Sequence, residues 1–90
     1  DLRNLSVDEL LTYAKEQWQE EERIDKINMV AELLYAEGSY KVQPLRQMLM
    51  EKSYRLFDYV EANGSTFSID RRQKMEAMRQ ELGNKLSQID

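Results

Sequence analysis

Four carboxylates stand close together in the chain: Glu20, Glu21, Glu22 and Asp25. Glu21 and Asp25 are four residues apart, so a helix carries both on one face, where a hard cation can be held loosely. No second acidic helix is available to converge on them, and the run reads as a solvated acidic face. The stretch from Tyr59 to Asp70 invites a calcium-loop test. An EF-hand needs an Asp first, oxygen ligands at its third and fifth positions, Gly at the sixth and Glu at the twelfth. With Gly64 as the sixth residue, Glu61, Asn63 and Asp70 fall on ligand positions, but the first is Tyr59, which brings no carboxylate. Asn63-Gly64 is read instead as the end of a helix. No metal and no cofactor is expected.

The bases gather later. Arg71, Arg72, Lys74 and Arg79 crowd into the last third. Arg71 and Arg72 fall in the first turn of a helix, where the helix dipole disfavours cations. That placement asks for a counter-charge, either in the acidic first third or on a partner. Arg71, Arg72 and Arg79 are therefore the candidate contacts for an anion or a partner. Nucleic acid fits poorly, because the chain is acidic overall and shows no aromatic-interleaved basic face.

The chain has no cysteine and no histidine, which removes disulfides, zinc sites, thiol nucleophiles and histidine-based triads. Serines, threonines, tyrosines and carboxylates alone show no catalytic spacing. Trp18 sits on a core stripe, whereas Tyr13, Tyr40 and Tyr54 fall off the stripes. Exposed aromatics mark interfaces, and Tyr40, in a loop, is the candidate among them. Asn4-Leu-Ser6 and Asn63-Gly-Ser65 match the glycosylation pattern, which is too short to count without signs of secretion. Arg23-Ile-Asp-Lys-Ile-Asn-Met-Val-Ala-Glu-Leu-Leu34 resembles the first-helix pattern of the helical chorismate mutases. That resemblance implies a helical dicarboxylate-binding enzyme. The family places a base where Met29 to Tyr40 has none, so no site residue is carried over, and the chain is read as a non-enzyme.

Ninety residues, 41% of them hydrophobic and 33% charged, with three Gly and one Pro, make one small domain with a modest core. Net charge is −4. Residues 1–37 carry ten acids and four bases, net −6; residues 38–90 carry nine bases and seven acids, net +2. The expectation is that the two parts attract each other within one fold. No apolar run reaches the roughly 18–20 residues of a membrane span, no signal peptide is visible, and a cytoplasmic location is expected.

Hydrophobic periodicity supplies the elements that position these residues. Ser6 and Glu9 form a capping box, and Val7, Leu10, Leu11, Ala14 and Trp18 make the first stripe. A second stripe, Ile24, Ile27, Ala31 and Leu34 with Val30 beside it, is rotated too far to share a straight helix with the first. A break is predicted between Gln19 and Asp25, with Asp25 as cap and Ile24 stapled to Met29; one long bent helix is the alternative. Gly38 should end this helix in a left-handed conformation, and Pro44 should open the next at its first helical position. The third stripe is Leu45, Met48, Leu49, Leu56, Tyr59 and Val60, with Met50 and Phe57 widening it. Ser68 or Thr66 caps the last helix, whose narrow stripe of Met75, Met78, Leu82, Leu86 and Ile89 resembles a coiled-coil seam. Glu22–Lys26, Glu51–Arg55 and Glu81–Lys85 have the spacing of stabilising pairs.

The chain is read as an all-α, compact three- or four-helix bundle with short loops, its helices at about 6–22, 25–37, 44–62 and 69–88. The expected function is a non-enzymatic interaction or regulatory module. It binds a protein partner, or a second copy of itself, through Met75, Met78, Leu82 and Leu86, with Tyr40 as a further contact. The alternative is an anion-binding bundle or small enzyme built on Arg71, Arg72 and Arg79.

Overall fold

A computed structural model describes residues 1–83 and shows an all-α bundle. A 3-10 turn over Leu2–Asn4 leads into α1 (Val7–Gln17), followed by α2 (Glu20–Ser39), α3 (Leu45–Asn63) and α4 (Ile69–Leu82). No strand occurs among the described residues. The radius of gyration is 12.5 Å, close to the about 12 Å expected for this length. No helix among the described residues is long and apolar enough to cross a membrane.

The helix starts follow from their caps. Ser6 Oγ accepts from the Glu9 amide at 3.1 Å, and the Glu9 carboxylate accepts from the Ser6 amide at 2.8 Å. The bond from the Ser6 amide, foremost, holds the Glu9 carboxyl below its ordinary pKa. Ser68 Oγ accepts from the Arg71 amide at 3.0 Å and opens α4. The break between the first two helices comes at Trp18 and Gln19, earlier than the sequence suggested, and Asp25 lies inside α2. Gln19 makes no side-chain cap, so no local signature marks the junction. The corner is held from a distance: the Arg23 guanidinium donates to the carbonyls of Ala14, Lys15 and Trp18 at 3.0–3.3 Å, occupying the oxygens that a helix end leaves open. Trp18 is only partly buried at that corner, edge-on to Tyr13. Met29 faces solvent, so it is no staple for Ile24.

The core is centred on the antiparallel pair α2 and α3. Ile27, Val30, Ala31, Leu34 and Gly38 of α2 meet Leu49, Met50, Ser53, Leu56, Phe57 and Val60 of α3. Val7, Leu10 and Ala14 of α1 and Met75, Met78 and Leu82 of α4 close the two sides. Gly38 is not a helix terminator. It lies within α2 without a positive φ. A Cβ placed there stands 3.3 Å from Leu49 Cβ and 3.3 Å from Met50 Cε, so the glycine permits close helix approach. On α3, Leu49, Leu56 and Val60 are buried together with Met50 and Phe57, as expected, but Leu45 and Met48 at its start are exposed. Ser53 joins the buried face: its hydroxyl is fully buried and donates to the Ala31 carbonyl at 2.8 Å. Pro44 lies one residue before α3, after a cis peptide. α4 ends at Leu82, where Gly83 takes φ 54°, a conformation open to glycine. Leu86, Ile89 and Lys85, the expected partner of Glu81, fall outside the described residues.

Candidate functional site

α2 is apolar on two sides. One is the core face. On the other, Met29, Leu33, Ala36 and Tyr40 follow at steps of four, three and four, which keeps them on one stripe. Met29 is 60% exposed, Leu33 53% and Tyr40 88%, and Ala36 is exposed as well. By helical geometry Glu21, Asp25 and Glu32 run along one margin of this stripe. Glu32 is tied to Lys74 of α4. Burial pushes the Lys74 ammonium down, but hydrogen bonds to Glu32 and Asp70 outweigh it and hold the ammonium above its ordinary pKa. Glu21 and Asp25 are exposed and have no ion pair among the described residues. On the opposite margin Lys26 binds Glu22 at 3.0 Å and sits 5.4 Å from the Trp18 ring centre, and Glu37 binds Arg3 at 3.1 Å. The Lys26 contact holds the Glu22 carboxyl below its ordinary pKa.

The interface residues read from the last helix are placed differently. Met75, Met78 and Leu82 are buried in the core of this same domain. Their narrow stripe fits the groove beside α3, so no free face of theirs remains for a partner. Leu86 lies outside the described residues. Tyr40 is exposed, as expected, but it continues the α2 stripe rather than α4.

The arginines are turned onto partners within the chain. Arg71 is buried at 5% exposure. Its guanidinium donates to Glu61 Oε2 at 2.7 and 3.0 Å and to the Thr66 carbonyl at 2.7 Å. Arg72 reaches the other Glu61 oxygen at 2.9 Å and stacks over Phe67. Arg79 bonds the Tyr54 hydroxyl and, at 3.2 Å, Glu76; the tyrosine contact raises its pKa. The cleft that Arg72 and Arg79 line also contains Glu61 and Glu76, so a carboxylate accompanies each guanidinium. The counter-charge that the first-turn arginines demanded is Glu61, ten residues upstream through a loop.

The charge split persists in the fold. Among the described residues one ion pair, Lys74 with Glu32, joins a base of the later part to an acid of the first 37 residues. The expected internal neutralisation is therefore slight. Glu20, Glu21, Glu22 and Asp25 do not converge with other acids, and among the described residues no group of three or more ligating side chains can hold a metal. The Asn63–Ser68 connection contains the Arg71–Thr66 contact rather than a ligand cage.

Sequence reasoning passed over Leu33 and Ala36 and assigned Met29 to a staple. The signal was present: α2 carries apolar residues on opposite sides, which a helix with one core face does not need. No protein-family model, curated protein or solved structure matches the chain.

Proposed function

We propose that this chain is a non-enzymatic helical module that binds another protein through the outward face of α2. One observation carries the reading: Met29, Leu33, Ala36 and Tyr40 form a solvent-facing apolar stripe opposite a complete core face. Single exposed apolar residues are ordinary, but an aligned row on a rigid helix is the pattern by which helices recognise apolar grooves or other helices. The earlier expectation of a partner surface is retained, and its place moves from α4 to α2. A photo-crosslinker at Leu33 should capture a discrete partner in native extract, whereas the same group at the exposed Asp58 of α3 should not. Equal labelling from both positions, or capture that persists in a Met29→Asp background, overturns the reading.

A further inference from the structure

The charges around the α2 stripe select its partner. We infer that the face receives an amphipathic helix whose apolar row is flanked by lysine or arginine. This inference rests on the interaction reading above and names the chemistry of the partner.

The stripe from Met29 to Tyr40 spans eleven steps, about 16 Å of helix, enough for three turns of a second helix to lie along it. Such a helix offers anchors at i, i+3 or i+4, and i+7. On the opposite margin of the stripe the acids Glu22 and Glu37 are ion-paired, whereas Glu21 and Asp25 on the near margin are not. Glu20, Glu21 and Glu22 stand in the first turn of α2, where they complement the helix dipole. Asp25 lies beyond that turn, at the edge of a cleft it shares with Asn28, Ser68 and Arg71, and Arg71 is already committed to Glu61. Neither Asp25 nor Glu21 has an ion pair among the described residues. The nearby cation, Lys26, is held by Glu22 and by the Trp18 ring. Among the described residues Lys74 makes the one ion pair to an acid of the first third, and Lys52, which donates to the Arg3 carbonyl, lies near Glu9, away from the stripe. An acidic helix laid on the stripe would meet like charge at Glu21 and Asp25, neither of which has an ion pair among the described residues, and a neutral one would leave those charges unanswered. A basic flank neutralises them and steers the encounter.

The test uses two helical peptides with the same apolar row, one flanked by Lys and one by Glu, titrated into the whole chain by fluorescence anisotropy. The Lys peptide should bind, and its affinity should fall several-fold as salt rises from about 0.05 to about 0.5 M. Leu33→Asp should weaken it by more than about tenfold. That substitution adds a negative charge to a half-exposed position, so purely electrostatic adhesion would strengthen instead. Glu21→Lys with Asp25→Lys should shift preference toward the Glu peptide. Equal binding of both peptides, no binding of either, or Lys-peptide binding that survives Leu33→Asp overturns the inference. So does self-association abolished by Leu33→Asp, which makes a second copy the occupant. Partner capture at Leu33 does not depend on peptide charge, so the broader reading can stand or fall separately.

Discussion

Arg71 shows how a residue acquires a structural task that its position in sequence conceals. Its charge stands at the wrong end of a helix dipole and is buried, yet two bonds to Glu61 and one to the Thr66 carbonyl satisfy it. Removing one member of a buried charged pair costs more than the pair contributes, because the survivor is left desolvated. Glu61→Gln should therefore lower stability by about 2–3 kcal/mol. A loss below about 1 kcal/mol in urea unfolding would show that the pair is dispensable. Ser53 has a smaller part. Ser53→Ala leaves the Ala31 carbonyl without the hydroxyl's bond and should cost about 1 kcal/mol in the same measurement. The sequence displayed the misfit of Arg71 but not its remedy, since a contact closed through a loop has no periodicity to read. Ser53 was equally hidden, because a polar residue interrupts a stripe and says nothing of the carbonyl it faces.

Elements were legible where local chemistry marks them. Ser6, Glu9 and Ser68 announce helix starts, while the apolar periods left three or four helices open until the break at Trp18 and Gln19 separated α1 from α2. The α1–α2 break was misplaced because its stabilising group, Arg23, acts backward from inside the next helix. Arg46 repeats the device at the end of α2. It donates to the Gly38 and Ser39 carbonyls at 3.2 Å and binds Glu81 of α4 through two bonds of 2.7 and 2.8 Å. The Arg46 bond holds the Glu81 carboxyl below its ordinary 4.5. A depressed carboxyl contributes stability that is present above the unfolded pKa and is lost as pH falls through the folded one. The melting temperature should therefore drop on acidification from about pH 5 to about pH 3, and the drop should be shallower in Arg46→Ala. Parallel curves for the two proteins would refute the link. Gly38 was legible as special but for the wrong reason. Gly38→Val should destabilise by roughly 2–3 kcal/mol, since Leu49 Cβ already stands within 3.3 Å of the first added carbon.

At the scale of the molecule, the fold class could be read from composition and period, whereas which apolar residues of α2 stay exposed depends on how the helices pack. The charge split was visible in a count of acids and bases. That it would stay largely uncompensated depends on which helices meet, and the acidic first third meets few bases. α2 and α3 share the most extensive packing, with α1 and α4 applied at the sides. Amide exchange should therefore be slowest at the facing turns of α2 and α3, around Ala31 and Ser53, and faster throughout α1. Uniform protection across all four helices would refute this hierarchy.

The two-sided character of α2 separates two kinds of selection. At Ile27, Val30, Ala31 and Leu34 a polar replacement removes core contacts, so a screen for folded protein and a screen for activity reject the same variants. At Met29, Leu33 and Ala36 the replacement meets water. A folded-protein screen should accept polar residues there and even favour them for solubility, while an activity screen discards them. Along one helix, positions three or four residues apart on the same side would share a tolerance profile, and those two residues apart would not. Substitution tolerance scored both ways would thus trace the outward stripe without knowledge of what it binds.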